Sequence, residues 1–426
     1  MPDPAPSRPE SGAPSGGAPP DAPPWGGPGP RGAGGGGPAR ALGGQRNREL
    51  YDRRRRRQSE HASLRHRAMR AVMAVPEPLA VRLAGPDRVE VDGRVLDRRV
   101  QFMLALQRLL PAPLDATRLD PSAQRRQLRM VAIPAMPTRR DVYSVDRLVP
   151  RGSADGGPVP VRVYRPYGAG TLGREPGRGG RRGAVVYLHG GGWASGDLDT
   201  HHGSCQTLAA VTGCVVVAVD YRLAPEHPFP AALDDTLAAW RWVHQRPGEL
   251  GFDPGRVGVM GDSAGGNLAA ALALVARDSG DPGLPLPHAQ GLVYPAVDAR
   301  LATESIRTLA DGFMLTADAM RAFREAYVPD PADWERPEVS PLLAADHAGL
   351  PRALVVTAGF DPLRDDGTAY AAALRSAGVE VHERCYDGQI HGFFGMGLLP
   401  GGMEIVTEVC EAMGRLMARP VPSRDA

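Results

Sequence analysis

The amino-acid sequence of 426 residues contains no lysine: all 50 basic side chains are arginine, set against 48 acidic ones. This absence excludes mechanisms that depend on a lysine, such as Schiff-base formation, a Ser-Lys dyad or a phosphate-binding loop with its lysine. Long hydrophobic runs are also missing. No stretch of about 18 apolar residues occurs, so a membrane-spanning helix is not expected, and no signal-peptide core opens the chain.

Cysteine is scarce, with four residues that are far apart and form no Cys-x-x-Cys pair. A disulfide framework or a zinc site of ordinary spacing is therefore not expected. We interpret the four as reduced thiols that pack in the interior, which suits a cytoplasmic protein. They are Cys205, Cys214, Cys385 and Cys410.

The first 70 residues have a composition of their own. Residues 1–45 include 12 prolines and 13 glycines. A segment of this composition buries too little apolar surface to offset the entropy lost on ordering, so a disordered tail is expected. Residues 46–70 carry ten arginines and three acidic residues, including the run Arg53–Arg57. Such a segment can contact nucleic acid or an anionic membrane. A solvated run of charge is the simpler interpretation, and we favour it.

Structure is expected from about residue 71. An N-terminal segment, residues 71–140, contains two amphipathic helices, one from Leu96 to Leu110 and one from Asp120 to about Val131. In a larger domain, residues 141–420, short apolar runs alternate with helical patterns, after one run at Val159–Tyr164 that is typical of an edge strand. This alternation predicts an α/β fold with a mostly parallel central sheet flanked by helices. The buried strands are Ala184–Leu188, Cys214–Val219, Val257–Met260, Gly291–Tyr294 and Ala353–Ala358.

The motif Gly261-Asp262-Ser263-Ala264-Gly265 lies between the predicted strand Val257–Met260 and a predicted helix that begins at Ala264. A Gly-x-Ser-x-Gly sequence at a strand-to-helix turn is typical of a nucleophile elbow, in which glycines make room for a tightly turned serine. The turn raises the hydroxyl above the sheet edge, at the positive end of the helix. Ser263 is therefore the candidate nucleophile.

A second motif, His189-Gly190-Gly191-Gly192-Trp193, directly follows the strand Ala184–Leu188. Successive glycines allow backbone N–H groups to approach an anion closely, although three glycines also suit an ordinary loop. The place of the motif, at the end of a buried strand and upstream of Ser263, is where an α/β-hydrolase has its oxyanion loop.

A nucleophilic serine needs a histidine base, which in this fold follows the serine in the chain. His391 lies after the predicted strand Val379–Tyr386 and before the last helix, and we select it. Three other histidines follow Ser263: one in a proline-rich turn, one in a polar loop and one inside a strand. These alternatives are His288, His347 and His382.

Asp361 follows the strand Ala353–Ala358 and is the candidate acid that orients His391. Asp365 and Asp366 are close rivals. Both lie at the start of a predicted helix, where acidic side chains are favoured by the helix dipole, so their expected role is capping.

These motifs together resemble the bacterial hormone-sensitive-lipase-like carboxylesterases. The resemblance covers roughly residues 96–418. The motifs are His189–Trp193, Asp220–Glu226, Gly261–Gly265, Ser340–Leu343, Asp361–Asp365 and His391-Gly392-Phe393.

The resemblance implies an α/β-hydrolase fold with an eight-stranded sheet in residues 141–420 and a helical cap that includes the helices at 96–131. It implies hydrolysis of short- to medium-chain acyl esters, part of lipid metabolism, without metal or organic cofactor. Gly191, Gly192 and Ala264 would donate the oxyanion hydrogen bonds. The remaining motif residues would be structural, with His189 orienting the glycine loop; the others are Gly190, Trp193, Gly261, Asp262 and Gly265.

Two alternatives to an esterase remain open at this site. The same triad could serve an amidase or an acyl transferase, because fold and triad do not separate these reactions. A ligand receptor that has lost catalysis is a further alternative, which the presence of His391 disfavours.

His201 and His202 are adjacent and cannot share one helix face, so we do not interpret them as metal ligands.

Overall fold

An eight-stranded sheet runs through the structure, a computed structural model that describes residues 77–85, 87–109, 120–151, 157–167 and 182–420, with the single residues 67, 71 and 75. The strands lie in the order β10-β9-β8-β7-β5-β6-β4-β3, and β4 is antiparallel to both of its neighbours. The sheet strands are β3 Val142–Val149, β4 Val159–Pro166, β5 Ala184–Leu188, β6 Val215–Val219, β7 Val257–Asp262, β8 Gln290–Val293, β9 Ala353–Phe360 and β10 Val381–Ile390. A small hairpin, β1 Glu90–Val91 and β2 Arg94–Val95, precedes them.

Helices cover both faces of this sheet, which confirms the predicted α/β fold. The central strands are continuous apolar runs because they are buried on both faces, and every residue of β5, β6 and β7 is buried. The helices are α1 Glu77–Ala84, α2 Arg98–Leu109, α3 Pro121–Ala135, α4 His202–Thr212, α5 Ala231–His244, α6 Pro247–Leu250, α7 Ala264–Asp278, α8 Glu304–Thr308, α9 Ala317–Tyr327, α10 Arg364–Ser376 and α11 Gly402–Ala418.

The sheet has one more strand at its edge than the sequence pattern predicts. Val159–Tyr164 belongs to β4, which pairs with β3 on one side and β6 on the other, so the prediction of an edge strand there is wrong. The edge strand on this side of the sheet is β3, whose exposed Tyr143 and Leu148 interrupt the apolar alternation by which edge strands are recognised.

The two helices predicted near the N-terminus are present as α2 and α3. Asp120 caps α3, since its carboxylate accepts hydrogen bonds from the backbone N–H groups of Ser122 and Ala123, and Pro121 occupies the first helical position. The helix continues beyond the predicted end at Val131 to Ala135. The proposed division at residues 70 and 140 stays a prediction, and residues 1–66 lie outside the described residues.

The four cysteines are unpaired thiols. Cys205, Cys214 and Cys410 are buried and Cys385 is half-buried. Burial raises the pKa of the Cys214 thiol to about 11, so this group stays protonated at neutral pH. In the part of the chain that the structure describes, no helix is both long and apolar enough to cross a bilayer.

Candidate active site

Four strands end at one edge of the sheet, and a residue singled out from the sequence follows each of them. β5 leads into His189, β7 into Ser263, β9 into Asp361 and β10 into His391. These strands are parallel, so their carboxyl ends face the same side of the molecule, where α/β folds bind their ligands.

Ser263, His391 and Asp361 form a continuous chain of hydrogen bonds. The distance from His391 Nε2 to Ser263 Oγ is 2.9 Å, and His391 Nδ1 lies 2.8 Å from Asp361 Oδ2. Asp361 is fully buried, and its other oxygen accepts a hydrogen bond of 2.8 Å from the backbone N–H of Leu363. The geometry is that of a serine with a base in reach and an acid that fixes the orientation of the base.

Ser263 lies in a tight turn between β7 and α7. Its backbone has φ 55° and ψ −120°, a conformation that costs free energy in a residue with a side chain. Strained conformations of this kind cluster at active sites. The turn packs closely: a Cβ on Gly265 would collide with the carbonyl oxygen of Leu188 at the end of β5. The N–H of Ser263 donates to the Val293 carbonyl at 2.8 Å, which ties the turn to β8.

Strand register brings His391 beside Asp361. Ile390, the last residue of β10, pairs with Phe360, the last residue of β9. The residues that follow these two, His391 and Asp361, therefore leave the sheet at the same level. A register shift between Tyr386 and Ile390 makes this possible, because β10 has extra residues there that β9 lacks.

The glycine loop after β5 carries the predicted oxyanion donors. Gly191 and Gly192 have φ values of 120° and 61°, which glycine adopts without strain. No described group accepts a hydrogen bond from the N–H of Gly191, Gly192 or Ala264. Ala264 is the first residue of α7, whose N-terminal N–H groups have no partner within the helix. All three residues line the cavity that also contains Ser263.

His189 is buried behind this loop and takes no part in the contact with Ser263. Its ring stacks on Tyr221 with centroids 4.2 Å apart, and its Nδ1 lies 2.9 Å from the Gly190 carbonyl oxygen. Burial, together with the charge of His201, lowers the pKa of His189 to about 4, so the ring is neutral at pH 7. Trp193, at the end of the motif, stacks on Tyr327 at 4.8 Å.

The rival acids contact other parts of the molecule. Asp365 accepts a hydrogen bond of 2.8 Å from the backbone N–H of Ser305, and Asp366 accepts one of 3.1 Å from the Thr303 hydroxyl. Through these two hydrogen bonds, helix α10 holds the segment at the start of α8 in place. The rival histidines do not reach Ser263 either; His347, for example, lies 3.0 Å from the Pro341 carbonyl oxygen.

A cavity of about 270 Å³ opens above Ser263 and His391. Its walls are mostly apolar, and two helices supply much of them. From α3 come Leu128, Val131 and Ala132, and from α9 come Met320 and Phe323. Helix α2, the other predicted cap helix, contributes none of the residues that line this cavity. Its Val100 and Leu104 pack instead in a cluster with Phe360 and Ile390.

Helix α9 is the part of the cavity wall that the sequence analysis missed. A signal was present: Thr316 caps the helix by accepting from the Ala319 N–H, and Met320, Phe323 and Tyr327 recur at helical spacing. The ring of Phe323 lies against the oxyanion loop, where a Cβ on Gly192 would collide with it.

Two arginines hold α3 against the segment that follows the oxyanion loop. Arg125 donates to the Ala194 carbonyl at 2.8 Å and pairs with Glu226 at 2.6 Å. Arg129 pairs with Asp197 and Asp199. The ion pairs are partly exposed, each worth about 0–1 kcal/mol, so they fix the place of α3 more than they stabilise the fold.

Within the described ranges, no group of three or more His, Cys, Asp or Glu side chains is arranged to hold a metal ion. The site offers a serine, a histidine and backbone donors. Such an arrangement can form and break acyl bonds.

Several known proteins are similar to this chain in both sequence and fold. A family model for the alpha/beta hydrolase fold matches residues 185–395. The chain is 41% identical to the carboxylic ester hydrolase LipN of Mycobacterium tuberculosis, over 77% of this chain and 85% of that protein. It is 41% identical to an ethyl acetate hydrolase of Pseudomonas putida, over 57% of this chain and 74% of that protein. The solved structure of a thermostable esterase from Pseudomonas putida matches with a TM-score of 0.69 and 32% identity, over 78% of this chain and 100% of that chain.

Proposed function

The chain belongs to the bacterial hormone-sensitive-lipase-like carboxylesterases of the alpha/beta hydrolase fold, and from this membership we propose that it hydrolyses short- to medium-chain acyl esters with Ser263, His391 and Asp361. The observation that carries the proposal is the hydrogen-bonded chain from Ser263 Oγ through His391 to Asp361, with distances of 2.9 and 2.8 Å. The roles follow from the atoms that face one another.

In the first half of the reaction Ser263 Oγ attacks the ester carbonyl while His391 Nε2 removes the hydroxyl proton. Asp361 accepts from Nδ1–H, which leaves Nε2 free to act as the base and stabilises the imidazolium that forms. The N–H groups of Gly191, Gly192 and Ala264 donate to the negative oxygen of the tetrahedral intermediate, each worth about 2.7–4 kcal/mol where such donors have been removed. The intermediate collapses when His391 returns the proton to the departing alcohol.

In the second half a water molecule replaces the alcohol. His391 removes a proton from the water as it attacks the acyl-enzyme carbonyl, and the same backbone donors stabilise the second tetrahedral intermediate. Collapse releases the carboxylic acid and returns the proton to Ser263 Oγ, so the site is regenerated without an added cofactor.

The cavity supports a small apolar substrate. Its volume of about 270 Å³ lies just below the ~300–1,000 Å³ of pockets that bury drug-sized ligands. The lining includes His201, Asp262, Asp298 and Arg324, but side chains such as Leu128, Met320 and Phe323 offer an acyl chain apolar contact. We expect uncharged acyl groups to be preferred, and we expect the enzyme to act in the cytoplasm on esters of lipid metabolism.

A chain-length series of p-nitrophenyl esters tests the proposal, with amide analogues and added alcohols as further arms. We expect ester hydrolysis to dominate and to fall by several orders of magnitude in Ser263→Ala, because alanine fits the turn but offers no nucleophile. A fluorophosphonate probe should label wild-type protein at Ser263 and leave Ser263→Ala unlabelled. Faster turnover of amides, or transfer to alcohols in preference to water, would assign the site to the alternative reactions.

A further inference from the structure

A histidine and an aspartate form a mostly buried pair next to the oxyanion loop, beside the triad but outside it. His201 Nε2 lies 3.5 Å from Asp262 Oδ2, and the two side chains are 15% and 9% exposed. Asp262 immediately precedes the nucleophile. Both residues border the cavity above Ser263. His201 takes no part in the proposed proton transfers.

The hydrogen bonds around Thr200 favour a His201 ring that is protonated at both nitrogens. The Thr200 hydroxyl donates to the Asp197 carbonyl at 2.8 Å and accepts the Asp197 N–H at 2.9 Å. His201 Nδ1 lies 2.9 Å from the same hydroxyl oxygen and is the donor there while the hydroxyl hydrogen remains on the Asp197 carbonyl. Nε2 lies 3.5 Å from Asp262 Oδ2, an ion-pair distance for a charged ring. An imidazolium suits both contacts.

The surrounding charges favour this state. Burial disfavours a charged His201, but the Asp262 and Asp197 carboxylates outweigh it and raise the pKa of His201 above its ordinary value. Burial likewise opposes ionisation of Asp262, yet His201 and the Tyr187 hydroxyl lower the pKa of that carboxyl. Among the described groups, His189 also faces His201, with ring centroids 5.5 Å apart, and it stays neutral.

Asp262 connects His201 to the oxyanion loop through hydrogen bonds. Its Oδ1 accepts hydrogen bonds from the Gly190 N–H at 3.0 Å and from the Tyr187 hydroxyl at 2.6 Å. The loop presses against the carboxylate so closely that a Cβ on Gly190 would collide with it. Hydrogen bonds to an ionised acceptor are about twice as strong as those to a neutral one. The strength of the hydrogen bond from the Gly190 N–H therefore depends on Asp262 keeping its charge.

We propose that the positively charged His201 is a positioning residue for the oxyanion hole: it holds Asp262 ionised, Asp262 holds the N–H of Gly190, and the next two N–H groups, of Gly191 and Gly192, are thereby kept beside Ser263. This inference rests on the proposed function, because it assigns His201 to the hydrolytic step of that same site. It places the residue outside the proton transfers of the triad.

The first arm of the test uses full-length His201→Gln, which keeps a donor near Asp262 but removes the charge. Loss of one oxyanion donor costs about 10²–10³ in turnover, and a misplaced loop should cost part of that, so we expect kcat to fall about tenfold or more while KM changes little. Affinity for a trifluoromethyl ketone, which forms a tetrahedral adduct with the serine, should fall in parallel. His202→Gln is the matched control, since His202 Nδ1 contacts the Tyr164 hydroxyl instead, at 3.1 Å.

The second arm asks whether the two charges act as a unit. Asp262→Asn should lose turnover as His201→Gln does, and the double variant should lose less than the product of the two single losses, because it leaves no unpaired buried charge. Multiplicative losses would overturn the proposal. Turnover and trifluoromethyl-ketone affinity of His201→Gln within twofold of wild type would also overturn it.

The third arm needs no variant to fold. Nitrogen-15 NMR of histidine-labelled wild-type protein at pH 7 should show both ring nitrogens of His201 protonated, and a neutral tautomer would overturn the proposal. If no ester is hydrolysed, the proposed function fails by itself. The rate of fluorophosphonate labelling of Ser263, which also depends on the oxyanion hole, then replaces kcat in the first two arms.

Discussion

Replacing Asp361 by asparagine separates the orienting role of this residue from its place in the fold. The carboxylate is fully buried, with one oxygen 2.8 Å from His391 Nδ1 and the other 2.8 Å from the Leu363 N–H. An asparagine of nearly the same shape keeps the second contact through its carbonyl oxygen. Its NH₂ group then faces His391 Nδ1, which must accept, so the ring proton moves to Nε2. The base would then donate a hydrogen bond to Ser263 Oγ when it should accept the proton.

The expected loss is about 10⁴ in turnover, the cost of the wrong histidine tautomer in a triad of this kind. At 1.36 kcal/mol for each factor of ten, this corresponds to about 5.5 kcal/mol of transition-state stabilisation. Stability should change much less than this, because no cavity forms and the bond to Leu363 remains.

Steady-state hydrolysis of p-nitrophenyl acetate and a thermal melt, both measured on Asp361→Asn, test the two halves of this reasoning. The matched control is Asp365→Asn, whose carboxylate lies four residues further along the chain and accepts from the Ser305 N–H. We expect that variant to keep most of its turnover and to melt at a lower temperature. If Asp361→Asn were mild and Asp365→Asn were the inactive variant, the acid of the triad would be misassigned.

Three further predictions concern other parts of the molecule. Burial and the neighbouring Asp197 and Asp199 raise the pKa of Asp220 to about 7. The folded state therefore holds a proton that the unfolded state releases near pH 4, and this contribution to stability is lost as pH rises toward 7. Asp220→Asn should consequently melt above wild type at pH 8 and close to it at pH 4.5; an equal difference at both values would contradict the shift. Phe323→Ala should enlarge the cavity beside Gly192 and move the optimum of the ester series to longer acyl chains, whereas an unchanged ratio of rates would show that α9 does not limit chain length. Deleting residues 1–70 should leave the hydrolysis of small esters and the melting temperature nearly unchanged, because their composition offers little apolar surface to bury; a loss of activity would make them part of the catalytic unit.

The centre of the fold could be predicted because its signals are local. A strand buried on both faces is a short apolar run, and β5 begins and ends at the residues that the pattern indicated. The motifs at His189 and Ser263 stand directly after such strands, so the edge of the sheet at which they meet follows from parallel topology alone. Asp361 and His391 could be selected for the same reason, since each follows a recognisable strand. The distances between them are properties of strand register, which the sequence pattern does not express.

The parts that escaped prediction depend on partners distant in the chain. Strand β3 has exposed Tyr143 and Leu148 and is recognisable only through its pairing with β4. Helix α9 lies more than 50 residues after Ser263, and its place above the oxyanion loop depends on how the intervening chain folds back. The pair of His201 and Asp262 is the strongest case. In the sequence His201 is half of a His-His dipeptide and Asp262 stands between a glycine and the candidate nucleophile, and neither pattern indicates that the two residues are in contact. The reason is physical and three-dimensional: a carboxylate buried next to a reactive serine needs a positive charge, and the residue that immediately precedes α4 supplies it from 61 positions away in the chain.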